Sequence, residues 1–430
     1  MDESQRQAAD AILRVMSGET LARALELSGA GATPARAFVQ ELAYGTLRHW
    51  GTLEATVRAL AHKPPGDPRL TAILAVALYQ LDHLRAEPHA VVDRAVAAVG
   101  DAVRPQAKGL ANALLRRYLR ERDAVIEAVT ATPVGRWSYP RWWISRVRSD
   151  WPREWERILS AGNEHAPLTL RANVRVNSRE ELRDRLRAAG NDCEPVGEAG
   201  LIVAPPRPVR ELPGYEEGAF SVQDAGAQLA APLLGARDGE RVLDACAAPG
   251  GKSTHILERA DVDLVALDSD EARLARVREN LARLSLDDRR ASVVAGDAAA
   301  SATWWDGRAF DRILADVPCT ASGIVRRHPD VKWRRRASDV AAFAAAQAAM
   351  LDALWRCLAR GGTLLYATCS VFVEENEAQA AAFAGRTSDA LRESCEFPAG
   401  VDSSGGQLLP SLPGAPHNQD GFFYARFRKA

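Results

Sequence analysis

The sequence predicts a multidomain chain: an all-α front, a small α+β module and a doubly wound α/β domain at the C-terminal end. Three observations carry this. At 430 residues the chain is too long for one ordinary domain. Residues 1–130 show helical periodicity with no strand signal. From residue 216 onward short apolar runs alternate with helical ones, the pattern of a parallel sheet covered on both faces.

Composition narrows the class. Apolar residues make up 47% and charged residues 26%, enough for packed cores and normal for a soluble protein. Net charge is −1, so any nucleic-acid surface must be local. The six cysteines contain no Cys-x-x-Cys, which argues against a disulfide framework and a zinc site. No secretory core and no bilayer-length apolar run is present. The expectation is a cytoplasmic protein with no membrane and no metal.

In the front domain, Leu70, Ile73, Leu74, Ala77, Leu78 and Leu81 follow the i, i+3, i+4, i+7 spacing of a half-buried helix. Thr33-Pro34 reads as an N-cap with proline at the first helical position, before Phe38, Leu42 and Leu47 on one face. Val92, Val96 and Val99, then Leu110, Leu114 and Tyr118, mark two more amphipathic segments. The last ends in Arg116, Arg117, Arg120 and Arg122, a run that reads first as a solvated face.

Residues 131–215 change texture. Trp137, Arg141, Trp142, Trp143, Arg146, Arg148, Trp151 and Trp155 interleave aromatics with arginine. Such a set can stack bases and hold phosphates; anchoring of a helix to its neighbours is the simpler reading for most of it. An alternating strand (Leu168, Leu170, Ala172), a helix from Ser178 to Ala189 and a strand at 200–203 follow, then a linker marked by Pro205, Pro206, Pro208 and Pro213.

The third region, 216–430, is organised around Val242 to Ser253. A short strand runs into a Pro-Gly-Gly turn and a helix opening near Ser253, which bares backbone N–H groups to a ligand. The stretch is neither G-x-G-x-x-G nor a P-loop. Five strands are expected at 242–245, 263–267, 292–295, 310–315 and 363–367. Four of the five end at or beside an acid or a cysteine: Asp268, Asp297, Asp316 and Cys369. Ligands of such sheets sit beyond the carboxyl ends of the strands. Asp268 alone suits the ribose of a nicotinamide enzyme as well as that of a methyltransferase. The pair Asp316-Val317-Pro318-Cys319 and Thr368-Cys369-Ser370 discriminates, because it sets two thiols on neighbouring strand ends. Two unrelated buried cysteines would be the default.

Those motifs, with Asp244-Ala245-Cys246-Ala247-Ala248-Pro249-Gly250-Gly251-Lys252, resemble the three principal motifs of the RNA cytosine-5 methyltransferases, the Nol1/Nop2/Sun family. Residues 220–225, 325–333 and 420–424 resemble in particular the bacterial members that act on 16S rRNA. The segment 38–48 resembles a helix of the NusB-like domain that stands in front of those enzymes, so the likeness spans essentially the whole chain. Departures are small: Ser253 and Ser322 stand where threonine is usual, and about three extra residues separate Asp268 from Asp297.

The resemblance implies three domains: a NusB-like RNA-binding bundle over 1–130, a small linker or RNA-binding module over 131–215 and a Rossmann-like methyltransferase domain over 216–430. It implies S-adenosyl-L-methionine along Ala247, Ala248, Pro249, Gly250, Gly251, Lys252 and Ser253, with Asp268 on its ribose, Asp297 by its adenine and Asp316 at the same mouth. Cytosine C5 is a weak nucleophile until a thiolate adds at C6, and the C5 proton must then leave. By resemblance Cys369 is the nucleophile, Cys319 assists breakdown of the adduct, Asp316 bonds the cytosine edge, and Lys252 favours the thiolate or orients the base. The basic run Arg326, Arg327, Lys332, Arg334, Arg335 and Arg336, opposed by Asp330 alone, is the expected phosphate contact. The implied partner is a single-stranded or looped cytosine of 16S rRNA, met by a monomer, with no DNA. Methylation of tRNA or large-subunit rRNA, DNA methylation using Cys319, nicotinamide chemistry and RNA binding without catalysis are the rivals.

Overall fold

The computed structural model of the protein describes residues 3–30, 35–286, 291–398, 401 and 403–430. Two compact units divide the chain: Met1–Glu164 with Val325–Ala337, and His165–Ile324 with Ser338–Ala430. No helix among the described residues is long and apolar enough to cross a membrane.

The first unit is helical. At its centre lies Pro68–His83, started by proline at the first turn and by the Asp67 side chain accepting from the Arg69 N–H. Leu70, Ile73, Leu74, Ala77 and Leu78 are buried as their spacing predicts, and so are Ala75 and Val76 on the other side. The helices Ser4–Met16, Trp50–Leu60 and Pro88–Ala102 all pack on it, so its apolar surface runs all the way round. Gly45 leaves the Tyr79 ring the space that a Cβ would fill. The helix Arg36–Arg48 has no side-chain cap; the expected Thr33-Pro34 cap lies outside the described residues.

Helix Lys108–Thr130 departs from expectation twice. It buries Ala111, Leu114, Leu115 and Tyr118, so Leu110 falls one step off the stripe and is exposed. It also resumes after a kink at Glu121 (φ −116°), among the arginines, and runs to Thr130. Arg116 bonds Asn112, Arg117 bonds Glu121, and Arg122 bonds Asp82, which is the behaviour of a solvated face. Of the tryptophans, Trp143 is buried, while Trp137 and Trp155 carry the Arg136 and Arg148 guanidinium groups over their rings.

The second unit holds two sheets. The small one has β1 (Leu168–Ala172), β2 (Asp192–Val196), β3 (Gly200–Ala204) and β4 (Phe220–Val222) in the antiparallel order β2-β3-β1-β4. Helix Arg179–Ala188 covers one face, opened by a capping box between Ser178 and Glu181. Strand β1 was expected to alternate, yet Thr169 and Arg171 are buried as fully as Leu170 and Ala172. The reason is Arg171, which turns onto helix Gly251–Arg259 of the same unit.

The large sheet runs through β5 (Arg241–Ala245), β6 (Asp263–Asp268), β7 (Ala291–Ala295), β8 (Phe310–Asp316), β9 (Leu358–Thr368), β10 (Ala390–Glu393), β11 (Ser403–Ser404), β12 (Gln407–Leu408) and β13 (Phe422–Lys429). Its order is β11-β12-β13-β9-β8-β5-β6-β7, with β10 on β13. Strands β5 to β9 are parallel, and strand order reverses between β5 and β8, the usual ligand position. The antiparallel β13 beside β9 was not legible as a strand, because Phe422, Phe423, Tyr424 and Ala425 are all buried and leave no alternation to read.

Candidate active site

The turn after β5 is built backbone first. Gly250 adopts φ +98°, and a Cβ there would meet the Val277 backbone at 3.2 Å, so only glycine fits. Helix Gly251–Arg259 then starts directly at the turn. From the end of β6, Asp268 accepts from the Ala248 N–H at 3.1 Å and from the Asp270 N–H at 3.1 Å. Arg273 donates to the Ala248 carbonyl at 2.8 Å, and Asn280 to the Pro249 carbonyl at 2.9 Å. The loop Ala247 to Ser253 and Asp268 are therefore one assembly. Asp297 lies just beyond β7, exposed, with its carboxylate on the Ala299 N–H.

Lys252, from the first turn of that helix, pairs with Asp316 at the end of β8 at 2.6 Å. Burial pulls the Lys252 ammonium down, but Asp316, Cys369 and Asp244 more than offset it, and its pKa is raised. Lys252 thus stays cationic beside Cys369. Asp244, at the end of β5, is fully buried with Oδ2 accepting from the Ser253 hydroxyl. Its Oδ1 has no partner among the described residues. Burial is the main cause of a carboxyl pKa pushed up to about 7. The Cys246 thiol is likewise raised, by burial first and then by Asp316, Asp268 and Asp244. The mouth is therefore electronegative, and a buried carboxylate oxygen waits for a donor. A cationic ligand fits such a mouth.

Strands β8 and β9 are in register, Asp316 opposite Ala367, and each continues into a loop carrying a thiol. Cys319 and Cys369 come together with Sγ–Sγ at 3.4 Å. The two loops are laced by Val317 N–H to Ala367 O at 3.1 Å and Gly323 N–H to Cys369 O at 2.9 Å. Cys319 is buried and Cys369 half-buried. The hydrogen bond to Cys369 is the first cause that lifts the Cys319 pKa well above an ordinary thiol, followed by burial and by the charges of Cys369 and Glu375. The structure so brings together Cys319, Cys369, Lys252 and Asp316. A cavity of about 840 Å³ lined by His255, Phe397, His417 and Arg426 contains none of them.

Two of the expected phosphate contacts, Lys332 and Arg326, need correction. Residues 325–337 belong to the helical unit, where Lys332 is fully buried and Arg326 nearly so. Lys332 donates to the Arg48 carbonyl at 2.8 Å, the Ser138 carbonyl at 3.2 Å and Asn163 Oδ1 at 2.6 Å, above the Tyr139 ring. Burial, then Arg48, drives its pKa well down. The Arg326 carbonyl accepts from Arg48, and Trp333 bonds the Leu47 carbonyl. The run is amphipathic, and Val331 and Trp333 carry its polar neighbours inward with them. Arg334 bonds the Gly18 carbonyl and Asp330; Arg327 and Arg335 are half-buried, and Arg336 is exposed.

Sequence reasoning missed four contributors. Asp244 stood inside a motif already singled out, and its strand-end position was the signal. Arg171, which pairs with Glu258, gave none; nor did Glu375, which accepts from Thr320, Ser370 and Gln347 behind the thiols, or Gln347 itself, since a buried ion or amide is visible only once its partners are in place.

Fold and site together define a methyltransferase of the doubly wound class with paired thiols at its mouth. A family model described as 16S rRNA methyltransferase RsmB/F matches residues 231–428. The RsmF/B-like ferredoxin-like domain matches 139–210, and the NusB family matches 2–120. Ribosomal RNA small subunit methyltransferase B of Vibrio cholerae serotype O1 is 43% identical over 429 residues, which cover 98% of this chain and 96% of that one. The protein of the same name from Pseudomonas syringae pv. tomato is 43% identical over 405 residues, 92% of this chain and 89% of that one. In fold, the crystal structure of PH0851 aligns with a TM-score of 0.79 at 23% identity, covering 99% of this chain and 98% of that one. NSun6 from Pyrococcus horikoshii with SFG aligns at 0.59 and 23% identity, covering 67% of this chain and 98% of that one. The chain belongs to the RsmB/F family of rRNA methyltransferases: a NusB domain, a ferredoxin-like module and a methyltransferase domain.

Proposed function

We propose that the protein methylates C5 of a cytosine in 16S rRNA, acting as a monomer on an unpaired base, with S-adenosylmethionine as methyl donor and a covalent bond from Cys369 to C6. The observation that carries this reading is the 3.4 Å thiol pair beside the Lys252–Asp316 ion pair. A methyltransferase that attacks a nitrogen or oxygen directly has no use for two sulfurs there. The names of the relatives point to the small subunit.

S-adenosylmethionine, when bound, supplies an electrophilic methyl group. Ala247 to Ser253 would hold it, with Asp268 toward its ribose, Asp297 toward its adenine, and Asp244 Oδ1 offered to a ligand donor. The electronegative mouth suits its sulfonium charge. Cys369, the more exposed thiol, releases its proton to water and adds to C6 as the thiolate, which the Lys252 ammonium favours. Asp316 accepts from the cytosine edge and, through its bond to the Lys252 ammonium, sits on a proton source for N3 as negative charge develops there. With Cys369 tied up as a thioether, Cys319 gives its proton to water. After methyl transfer its thiolate takes the C5 proton, the C6–S bond breaks, Cys369 leaves as thiolate, and N3 returns its proton to the Lys252–Asp316 pair. The high pKa of Cys319 makes its thiolate a strong base for that step. Should the base enter a pocket, it must first be turned out of its stack.

The test is transfer of tritium from methyl-labelled S-adenosylmethionine to small-subunit rRNA, followed by digestion to nucleosides. Label is expected in 5-methylcytidine and absent from DNA. Label in another nucleoside, or only in tRNA or large-subunit rRNA, refutes the reading.

A further inference from the structure

Glu375 is a fully buried carboxylate in the loop after the second thiol. Its Oε1 accepts from the Thr320 N–H at 2.8 Å and from Gln347 Nε2 at 3.3 Å. Its Oε2 accepts from the Thr320 hydroxyl at 2.6 Å and from the Ser370 hydroxyl at 2.6 Å. Thr320 follows Cys319 and Ser370 follows Cys369, so one carboxylate grips the chain one residue beyond each sulfur. Gln347 extends the grip to the other side of Cys319 by donating to the Pro318 carbonyl at 3.0 Å. Tyr366 in turn donates to the Glu375 carbonyl at 2.6 Å. No Lys or Arg forms an ion pair with Glu375 among the described residues; four hydrogen bonds hold it instead.

A loop staple needs only polarity, and a neutral amide or a hydroxyl would serve. Burial raises the Glu375 pKa, and the hydrogen bonds from Ser370, Thr320 and Gln347 oppose that; a carboxylate held ionised by four donors beside a thiol does something more. We propose that Glu375 is the positioning residue of the thiol pair, setting the separation of Cys319 and Cys369 and holding Cys319 in its protonated form until a base is needed. The inference rests on the reading of these two cysteines as the working thiols. In that reading Cys319 must not compete with Cys369 for the cytosine: a second thiolate would repel the first, and a negative charge beside Cys319 prevents it. The geometric part follows from the staple, since a shift of one ångström between reacting groups costs on the order of 10²-fold in rate.

The test compares Glu375→Gln, Glu375→Asp and Thr320→Val with the full-length wild type. Glu375→Gln keeps the size but turns one of two accepting oxygens into a donor that faces donors, which loosens the staple; it is expected to lower kcat about 10²-fold while both KM values stay within twofold. Per-cysteine labelling by a small methanethiosulfonate, read by peptide mass spectrometry across pH, reports ionisation without catalysis. The Cys319 profile should move to lower pH in Glu375→Gln and stay put in Glu375→Asp, where the charge remains. Should Glu375→Gln not fold, Thr320→Val decides: it removes one donor and should lower kcat at least about fivefold at unchanged KM. A kcat within threefold of wild type, or an unmoved labelling profile in Glu375→Gln, overturns the proposal. If Cys369→Ala is fully active the functional reading fails instead; if Cys369→Ala is dead and Glu375→Gln is not, only this inference fails.

Discussion

Replacing Arg171 by alanine is expected to be among the most damaging single changes outside the thiol loops. The Arg171 and Glu258 side chains are 0% and 1% exposed, joined by two hydrogen bonds of 2.9 and 2.7 Å. The remaining donors go to Gln223, to the Gly251 carbonyl at 2.8 Å and to Thr254 at 3.1 Å. Removing the guanidinium strands a carboxylate in the interior and takes from the Gly251 carbonyl its closest side-chain donor, leaving it the longer contacts from Thr254 and Gln223. Breaking a buried pair from one side costs roughly 3–5 kcal/mol, a large share of the ~5–15 kcal/mol that holds a protein folded. The pH dependence identifies the cause. Burial raises the Glu258 pKa, and Arg171 opposes that; without Arg171 it rises further. An acid whose folded pKa is raised stabilises fully below its unfolded pKa and loses that stability as pH climbs through the folded value. Urea unfolding should therefore show Arg171→Ala far below wild type at pH 8 and closer to it at pH 5. Adding Glu258→Gln to Arg171→Ala should restore part of the loss. A loss under ~1 kcal/mol, too small for a stranded buried ion, or a loss that is the same at both pH values, would refute the reasoning.

Two further outcomes follow from the buried ions. Asp244 rises from 3.8 to about 7, so wild type should lose up to ~4 kcal/mol relative to Asp244→Asn between pH 4 and pH 7.5. Parallel unfolding curves for the two proteins across that range would show that Asp244 titrates normally. Lys332→Met, which strands three oxygen acceptors, should destabilise the helical unit by about 1–3 kcal/mol and leave the salt dependence of RNA binding unchanged. A flatter slope of log Kd against log salt would return Lys332 to the phosphate contacts.

The strand-end logic of the large sheet was open to reading because parallel strands are continuous apolar runs whose ends are punctuated by polar residues. Thus Asp268, Asp316, Cys319 and Cys369 could be placed from periodicity alone, and the thiol pair was implied before any contact was known. Strand β13 was hidden by burial on both faces; β1 was legible as a strand, but its second face was not, because Arg171 is a charge that reads as solvent-facing until Glu258 is found opposite it. Lys332 and Arg326, expected at phosphates, are buried for a related reason. Charge density in sequence says nothing of which side chains a neighbouring Trp333 or Val331 pulls inside, and Lys332 ended among carbonyls rather than phosphates. Glu375 lay in plain view in a Val-Glu-Glu-Asn stretch, and only the fold sets it beneath both thiols.

The central claim is the division of labour between the two sulfurs 3.4 Å apart, and denaturing gel electrophoresis of the two alanine variants with rRNA tests it most directly. Cys319→Ala retains the nucleophile and lacks the base that releases product, so a protein–RNA adduct should accumulate and survive denaturation. Cys369→Ala should form no adduct and transfer no methyl group while still binding the cofactor. An adduct from Cys369→Ala and none from Cys319→Ala would reverse the roles and contradict the account.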